Sequence, residues 1–266
     1  MESIFEYLKR KELSPLETLT EIDLYILTVL SYVPFERLLK KDGKPVSLQT
    51  FSKMYGEVYK GKRKPSKTQD EFISLLGQSP RYKKLRVLRP VSTHDPKTQT
   101  QFAAITIALP DGSYFLSYRG TDDTLLGWKE DANYAVMDVM PSQLLAKEYF
   151  EEAYDAHPDA SFYLGGHSKG GSLAVYAGYS VDKRLRDRIV SIFDADSPGQ
   201  RDAVLCSKEY QEILPRIQSF IPEYDIVGLI FRKKGRVAII SSSNKGALQH
   251  LHFSWNVEGE GLARVK

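Results

Sequence analysis

The chain has 266 residues, 42% of them hydrophobic and 27% charged, with a formal net charge of +3 and a single cysteine, Cys206. This balance excludes a globally disordered chain and an internal disulfide framework, and it leaves room for one large α/β domain, with or without an appended subdomain. A charge of +3 is too small to argue by itself for a nucleic-acid partner.

Residues 1–6 (MESIFE) show no basic region followed by an apolar core, so no secretory signal is expected. The longest greasy stretch, residues 22–33, is interrupted by Asp23 and Tyr25 and is too short to cross a bilayer. Together with the lone cysteine, this predicts a cytoplasmic protein with no integral membrane segment.

Up to about residue 80 the texture is mainly helical. Leu24, Leu27, Leu30 and Val33, with Ile22 and Ile26 alongside, recur at helical spacing and predict a buried helix. Residues 60–67 (KGKRKPSK) read as an exposed basic loop, and residues 68–77 as a short helix closing on glycine. From about residue 82 strands alternate with helices. Runs 102–109 and 114–118 flank a Pro110-Asp111-Gly112-Ser113 turn and predict a hairpin. Residues 142–156 read as an amphipathic helix, 161–164 as a strand, 171–180 as a small-residue helix and 189–193 as a buried strand. A helix over 202–214 and strands at 217–220 and 237–240 complete the series. The expectation is a mostly parallel sheet with helices on both faces, divided into a helical segment (1–80) packing on an α/β domain (81–266).

Gly166-His167-Ser168-Lys169-Gly170 fits a nucleophile elbow, a sharp strand-to-helix turn that exposes a serine hydroxyl. The positions two before and two after the serine must be small, or their side chains would collide. An apolar strand precedes this motif and an Ala- and Gly-rich helix follows it, which is the context the turn requires. The helix N-terminus also aims backbone amides at the site, so Lys169 reads as a donor through its N–H rather than as a base.

A serine needs a histidine to take its proton and a carboxylate to hold that histidine. In this type of fold the chain order is Ser, acid, His, which leaves His250 and His252 as candidate bases. His94 and His157 precede the serine and read as loop or surface residues, and His167 as structural. Asp194 and Asp196 follow one strand, whereas Asp225, with Glu223 nearby, follows the next. The loop after the penultimate strand favours Asp225.

These segments together resemble the class-three lipase branch of the α/β hydrolases. Tyr118-Arg119-Gly120-Thr121 is similar to its oxyanion segment, and Gly127-Trp128-Lys129-Glu130-Asp131 to its Trp-x-x-Asp segment. Ser197-Pro198-Gly199 and Asp225-Ile226-Val227 are similar to its later turns. The chain resembles still more closely a poorly characterised bacterial lipase-like family, through residues 119–124 (RGTDDT), 165–171 (GGHSKGG) and Gln249-His250 before Phe253-Ser254-Trp255. That family often lacks an acid at the position of Asp225, which this chain has.

The resemblance implies an ester-hydrolysing fold with Thr121 and the Lys169 amide as the oxyanion hole. It selects His250 over His252 as base, with His252 packing near Trp255 or at the pocket rim. Arg119 is expected to hold its loop by an ion pair with Asp131 or Asp122. The expected function is a serine carboxylic-ester hydrolase using Ser168, Asp225 and His250, with a small ester or acyl substrate and neither metal nor organic cofactor. A thioesterase or acyltransferase would use the same residues, and an idle hydrolase fold serving as a binding module is the rival of a different class. Nucleic-acid binding through residues 60–67 and 81–89 is not expected.

Overall fold

The computed structural model describes residues 1–61, 66–121 and 137–265. Its strands are β1 (Glu2–Ser3), β2 (Val46–Ser47), β3 (Arg86–Asp95), β4 (Thr100–Ala108), β5 (Tyr114–Tyr118), β6 (Phe162–His167), β7 (Ile189–Ala195), β8 (Ile217–Pro222), β9 (Arg236–Ile240), β10 (Asn256–Glu258) and β11 (Gly261–Leu262). Strands β2 to β9 form one sheet in sequence order, antiparallel from β2 to β5 and parallel from β5 to β9. A small second sheet joins the chain ends, in the order β1-β10-β11. This is the α/β-hydrolase class expected from the alternation of strands and helices.

The parallel half follows from the sequence. Each of its strands is a short apolar run, and the crossovers from β5 to β8 carry helices that cover the sheet, whereas that from β8 to β9 holds only a 3-10 turn at Val227–Leu229. The antiparallel turn between β4 and β5 follows from local chemistry: Gly112 takes φ +85°, and Asp111 Oδ1 accepts the Ser113 N–H at 3.0 Å. Besides the two- and three-residue strands β1, β2, β10 and β11, one long strand was not legible, β3. Its alternation breaks at Arg89-Pro90, where the register shifts between Leu88 and Val91 and Arg89 takes φ +52°. The expected helix over 202–214 is two helices, Asp202–Leu205 and Lys208–Ile213, then a 3-10 turn at Leu214–Arg216. Ser207 caps the second by accepting the Tyr210 N–H.

Adjacent residues of a strand face opposite sides of the sheet, and the core divides accordingly. Leu116, Leu164 and Ile192 pack with the helices Pro141–Ala156 and Lys169–Ser180. Phe115 and Phe193, with Phe220 of β8, pack on the other face with Tyr25, Ile26 and Val29 of the helix Glu21–Val29. That helix is buried on all sides except at Glu21, and Asp23 within it is neutralised by Arg81, whose Nε lies 2.7 Å from Oδ1. The N-terminal residues therefore supply half of the cover over the sheet. Among the described residues no helix is long and apolar enough to cross a membrane.

Candidate active site

β6 runs into the helix Lys169–Ser180 through a single residue, Ser168, with φ +57° and ψ −133°. That conformation is costly for a residue with a Cβ, on the order of 1–3 kcal/mol, and persists only where surrounding structure imposes it. The Ser168 N–H is held by the Ala195 carbonyl at 2.9 Å. A Cβ at Gly166 would lie 2.1 Å from the Gly170 carbonyl oxygen, and one at Gly170 would lie 2.2 Å from the Tyr118 carbonyl oxygen. The two elbow glycines are thus required by backbone contact. Ser168 is half-buried, with its hydroxyl at the helix N-terminus.

Three loops at the carboxyl ends of β7, β8 and β9 bring a histidine between two carboxylates. His250 Nδ1 lies 2.7 Å from Asp196 Oδ2 and 3.5 Å from Asp225 Oδ2. Asp196, the first residue after β7, takes φ +52°. Asp225 Oδ2 also accepts the Val227 N–H at 2.8 Å. Gln249 fastens two of the loops, because its Oε1 accepts the Tyr224 N–H at 2.9 Å. Burial opposes charge on the three groups. For His250 the hydrogen bonds and charges of Asp196 and Asp225 outweigh it and raise the pKa to about 9. For Asp225, bonds to His250 and Asp196 outweigh it and lower the pKa to about 2, whereas burial prevails at Asp196 and lifts it to about 7. The closest atoms of the trio, within 4.8 Å of one another, are engaged with each other, and no residue set here is assigned to a cofactor or metal.

The next layer is aromatic. His167 Nε2 lies 2.7 Å from the His250 carbonyl oxygen, so Nε2 carries the hydrogen and Nδ1 accepts from the Tyr32 hydroxyl at 2.8 Å. Burial, with His250 and His252 nearby, pushes the His167 pKa well below its usual range, in keeping with that neutral tautomer. His252 stacks on Tyr32 at 4.1 Å between centroids, and burial lowers its pKa to about 3. The His250 ring lies 4.7 Å from the His167 ring. Among the described residues the Ser168 hydroxyl is not hydrogen-bonded to the His250 ring.

The model of the Mbeg1-like family matches residues 76–266, which span the elbow and the whole acid–base trio. The chain belongs to the Mbeg1-like family. No curated protein matches it. Among solved structures this Mbeg1-like chain is similar to three fungal proteins. Lipase II of Rhizopus niveus matches at 20% identity and TM-score 0.38, over 52% of this chain and 58% of that one. A lipase of Rhizopus microsporus var. chinensis matches at 13% identity and TM-score 0.45, over 92% and 90%. A mutant form of MDLA from Penicillium cyclopium matches at 17% identity and TM-score 0.47, over 82% and 83%.

In this Mbeg1-like chain the remaining expected residues fall as follows. Lys169 buries its side chain, with Nζ 2.8 Å from both the carbonyl and the Oε1 of Gln101, which leaves its backbone at the helix start beside Ser168. Thr121 follows Gly120, at which a Cβ would come within 3.3 Å of Ser168 Cβ. Arg119 is buried and pairs with Glu36 at 3.3 Å and with Ser92 Oγ at 3.0 Å. Its expected partners Asp122 and Asp131 lie outside the described residues, as does the Trp128 segment. His94 is exposed on β3, and His157 ends a helix stacked on Tyr114. Asp194 is closed off by Lys233 and Ser219. Sequence reasoning gave too little weight to two residues that contact this cluster. Asp196, weighed below Asp225, is the nearer acid, and its signal was an Asp-Ser-Pro turn directly after an apolar strand. Tyr32 carried no signal at all.

Proposed function

We propose that this protein is a serine hydrolase that cleaves carboxylic esters through an acyl-enzyme. Ser168 is the nucleophile, His250 the general base, Asp225 the ionised acid behind it, and the amides of Thr121 and Lys169 the oxyanion donors. The observation that carries the reading is a serine in a strained elbow at a helix N-terminus, whose neighbour His167 lies 4.7 Å, ring to ring, from His250, an imidazole with Nδ1 fixed by carboxylate. With Nδ1 committed, Nε2 is the nitrogen left to accept the serine proton. The serine–imidazole hydrogen bond is expected to form with substrate bound, since such bonds are commonly long or poorly aligned without it.

In the first half-reaction Ser168 Oγ attacks the acyl carbon as His250 takes its proton, and the oxyanion forms against the backbone amides. The imidazolium then protonates the departing alcohol. Water repeats the sequence on the acyl-enzyme and releases the acid. The rim suits an acyl chain: Tyr224, Ile226 and Leu229 on the Asp225 side and Leu248 and Leu251 on the His250 side are each more than half exposed. A thioester or another acyl acceptor would use the same groups. An exposed Cys206 fits the expected cytoplasmic setting.

The test is labelling with a fluorophosphonate probe, followed by turnover of nitrophenyl esters of increasing chain length and of acyl-thioesters. Labelling at Ser168 that is lost in Ser168→Ala, together with ester turnover, supports the reading. A chain that is folded yet neither labelled nor active is the idle hydrolase fold instead.

A further inference from the structure

We propose that Asp196 and Asp225 act on His250 as a pair, Asp196 taking the Nδ1 hydrogen and Asp225 supplying a second negative charge, so that the base is freed only at alkaline pH. This rests on the reading of His250 as the general base. Nδ1 carries one hydrogen and bonds well to one acceptor at a time, and the distances of 2.7 Å and 3.5 Å assign it to Asp196. Asp225 is spoken for by the Val227 N–H and stands behind as a charge. The position of Asp196 is costly, since a left-handed backbone is disfavoured for a non-glycine residue. It is also closely fitted, because a Cβ at Gly228 would lie 2.5 Å from Asp196 Oδ1.

Asp196 and Asp225 are both almost fully buried, and taking the last proton from the trio leaves two negative charges there. The trio therefore retains one proton more than a histidine with a single acid. Among the described residues, none packed around it supplies a compensating charge. His167 from β6 and His252 from the same loop are both kept neutral by burial, and Lys233 is committed to Asp194 and Ser197. The direction of the His250 shift, upward to about 9, agrees. Asp196 and Asp225 are positioning residues in this scheme, acting on substrate only through the imidazole.

The experiment compares the intact chain with Asp196→Asn, Asp225→Asn and the double variant. Two readouts are followed: the pH profile of kcat/KM on a nitrophenyl ester, and NMR titration of the His250 ring, which needs no turnover. Asparagine tolerates the left-handed backbone at 196, and Asp225→Asn tests the same shift from the other carboxylate. The intact chain is expected to titrate near 9 by both readouts. Each single variant should keep part of the activity and move the midpoint down by about one to two pH units. The double variant should lose about 10³–10⁴ in rate. A His250 midpoint below 7 in the intact chain overturns the pair. An Asp196→Asn profile identical to that of the intact chain overturns it too and leaves Asp225 as sole acid. If the ring titrates near 9 but no ester is turned over, the hydrolase reading falls and the pair stands.

Discussion

The side chain of His167 hydrogen-bonds the backbone of His250: its Nε2–H donates to the His250 carbonyl oxygen at 2.7 Å. The residue before Ser168, the proposed nucleophile, thus fixes the main chain that carries His250, the proposed base, and Tyr32 fixes His167 in turn. Displacing a catalytic group by about 1 Å costs on the order of 10²-fold in rate. His167→Phe, which fills the space without a donor, should therefore lower kcat about 100-fold with little effect on KM. His167→Gln can still present an N–H and should recover part of that loss. Steady-state kinetics on both variants, with circular dichroism to confirm folding, checks this. Equal losses in Phe and Gln would mean that the hydrogen bond is not what matters.

The two histidines of the last loop should separate cleanly. His250→Ala should lose activity about as completely as Ser168→Ala, because members of a triad fail as a unit. His252 presents a neutral ring stacked on Tyr32, and its Nε2 is buried with no hydrogen-bond partner among the described residues. His252→Phe should keep most of the activity and cost no more than about 1 kcal/mol, since no hydrogen bond is broken. Ester turnover and denaturant midpoints give the comparison. An inactive, folded His252→Phe beside an active His250→Ala would exchange their roles.

Two glycines predict opposite signs. In Gly166→Ala the new Cβ would meet the Gly170 carbonyl at 2.1 Å, a contact that only movement of the elbow backbone relieves. Destabilisation by about 3 kcal/mol or more, or loss of soluble protein, is expected. Gly56 is exposed within the helix Leu48–Val58 and has nothing within 4 Å of a Cβ, so Gly56→Ala should stabilise by about 0.5–1 kcal/mol. Urea denaturation of the two variants measures both.

Stability should fall on the alkaline side because of His250. In the unfolded chain its imidazole is neutral above about 6.5, whereas in the fold it holds its proton up to about 9. The contribution is fully present below pH 6.5 and is lost as pH rises through 9, a change of at most about 3 kcal/mol. Denaturation at pH 6.5 and 9.5 should show the loss in the intact chain and a smaller one in His250→Phe. Parallel pH dependence in the two proteins would assign the effect elsewhere.

The elements legible in the sequence were those set by neighbours in the chain. Short apolar runs marked β4 to β9, and turn chemistry at Asp111-Gly112 joined β4 to β5. The glycines at 166 and 170 announced the elbow because its steric demand is local. β3 was hidden because Arg89-Pro90 interrupts its period, and the bulge there is stabilised by pairing with β4 rather than by its own residues. What tertiary structure alone decided is who meets His250. Asp196, Asp225 and His250 sit on three loops separated by up to 54 residues, and a carboxylate reads the same in sequence whether it is 2.7 Å or 3.5 Å from an imidazole. The same holds for Tyr32, 135 residues from His167. Local sequence sets backbone conformation, but side-chain electrostatics depend on distances that only the packed sheet and its loops bring into being.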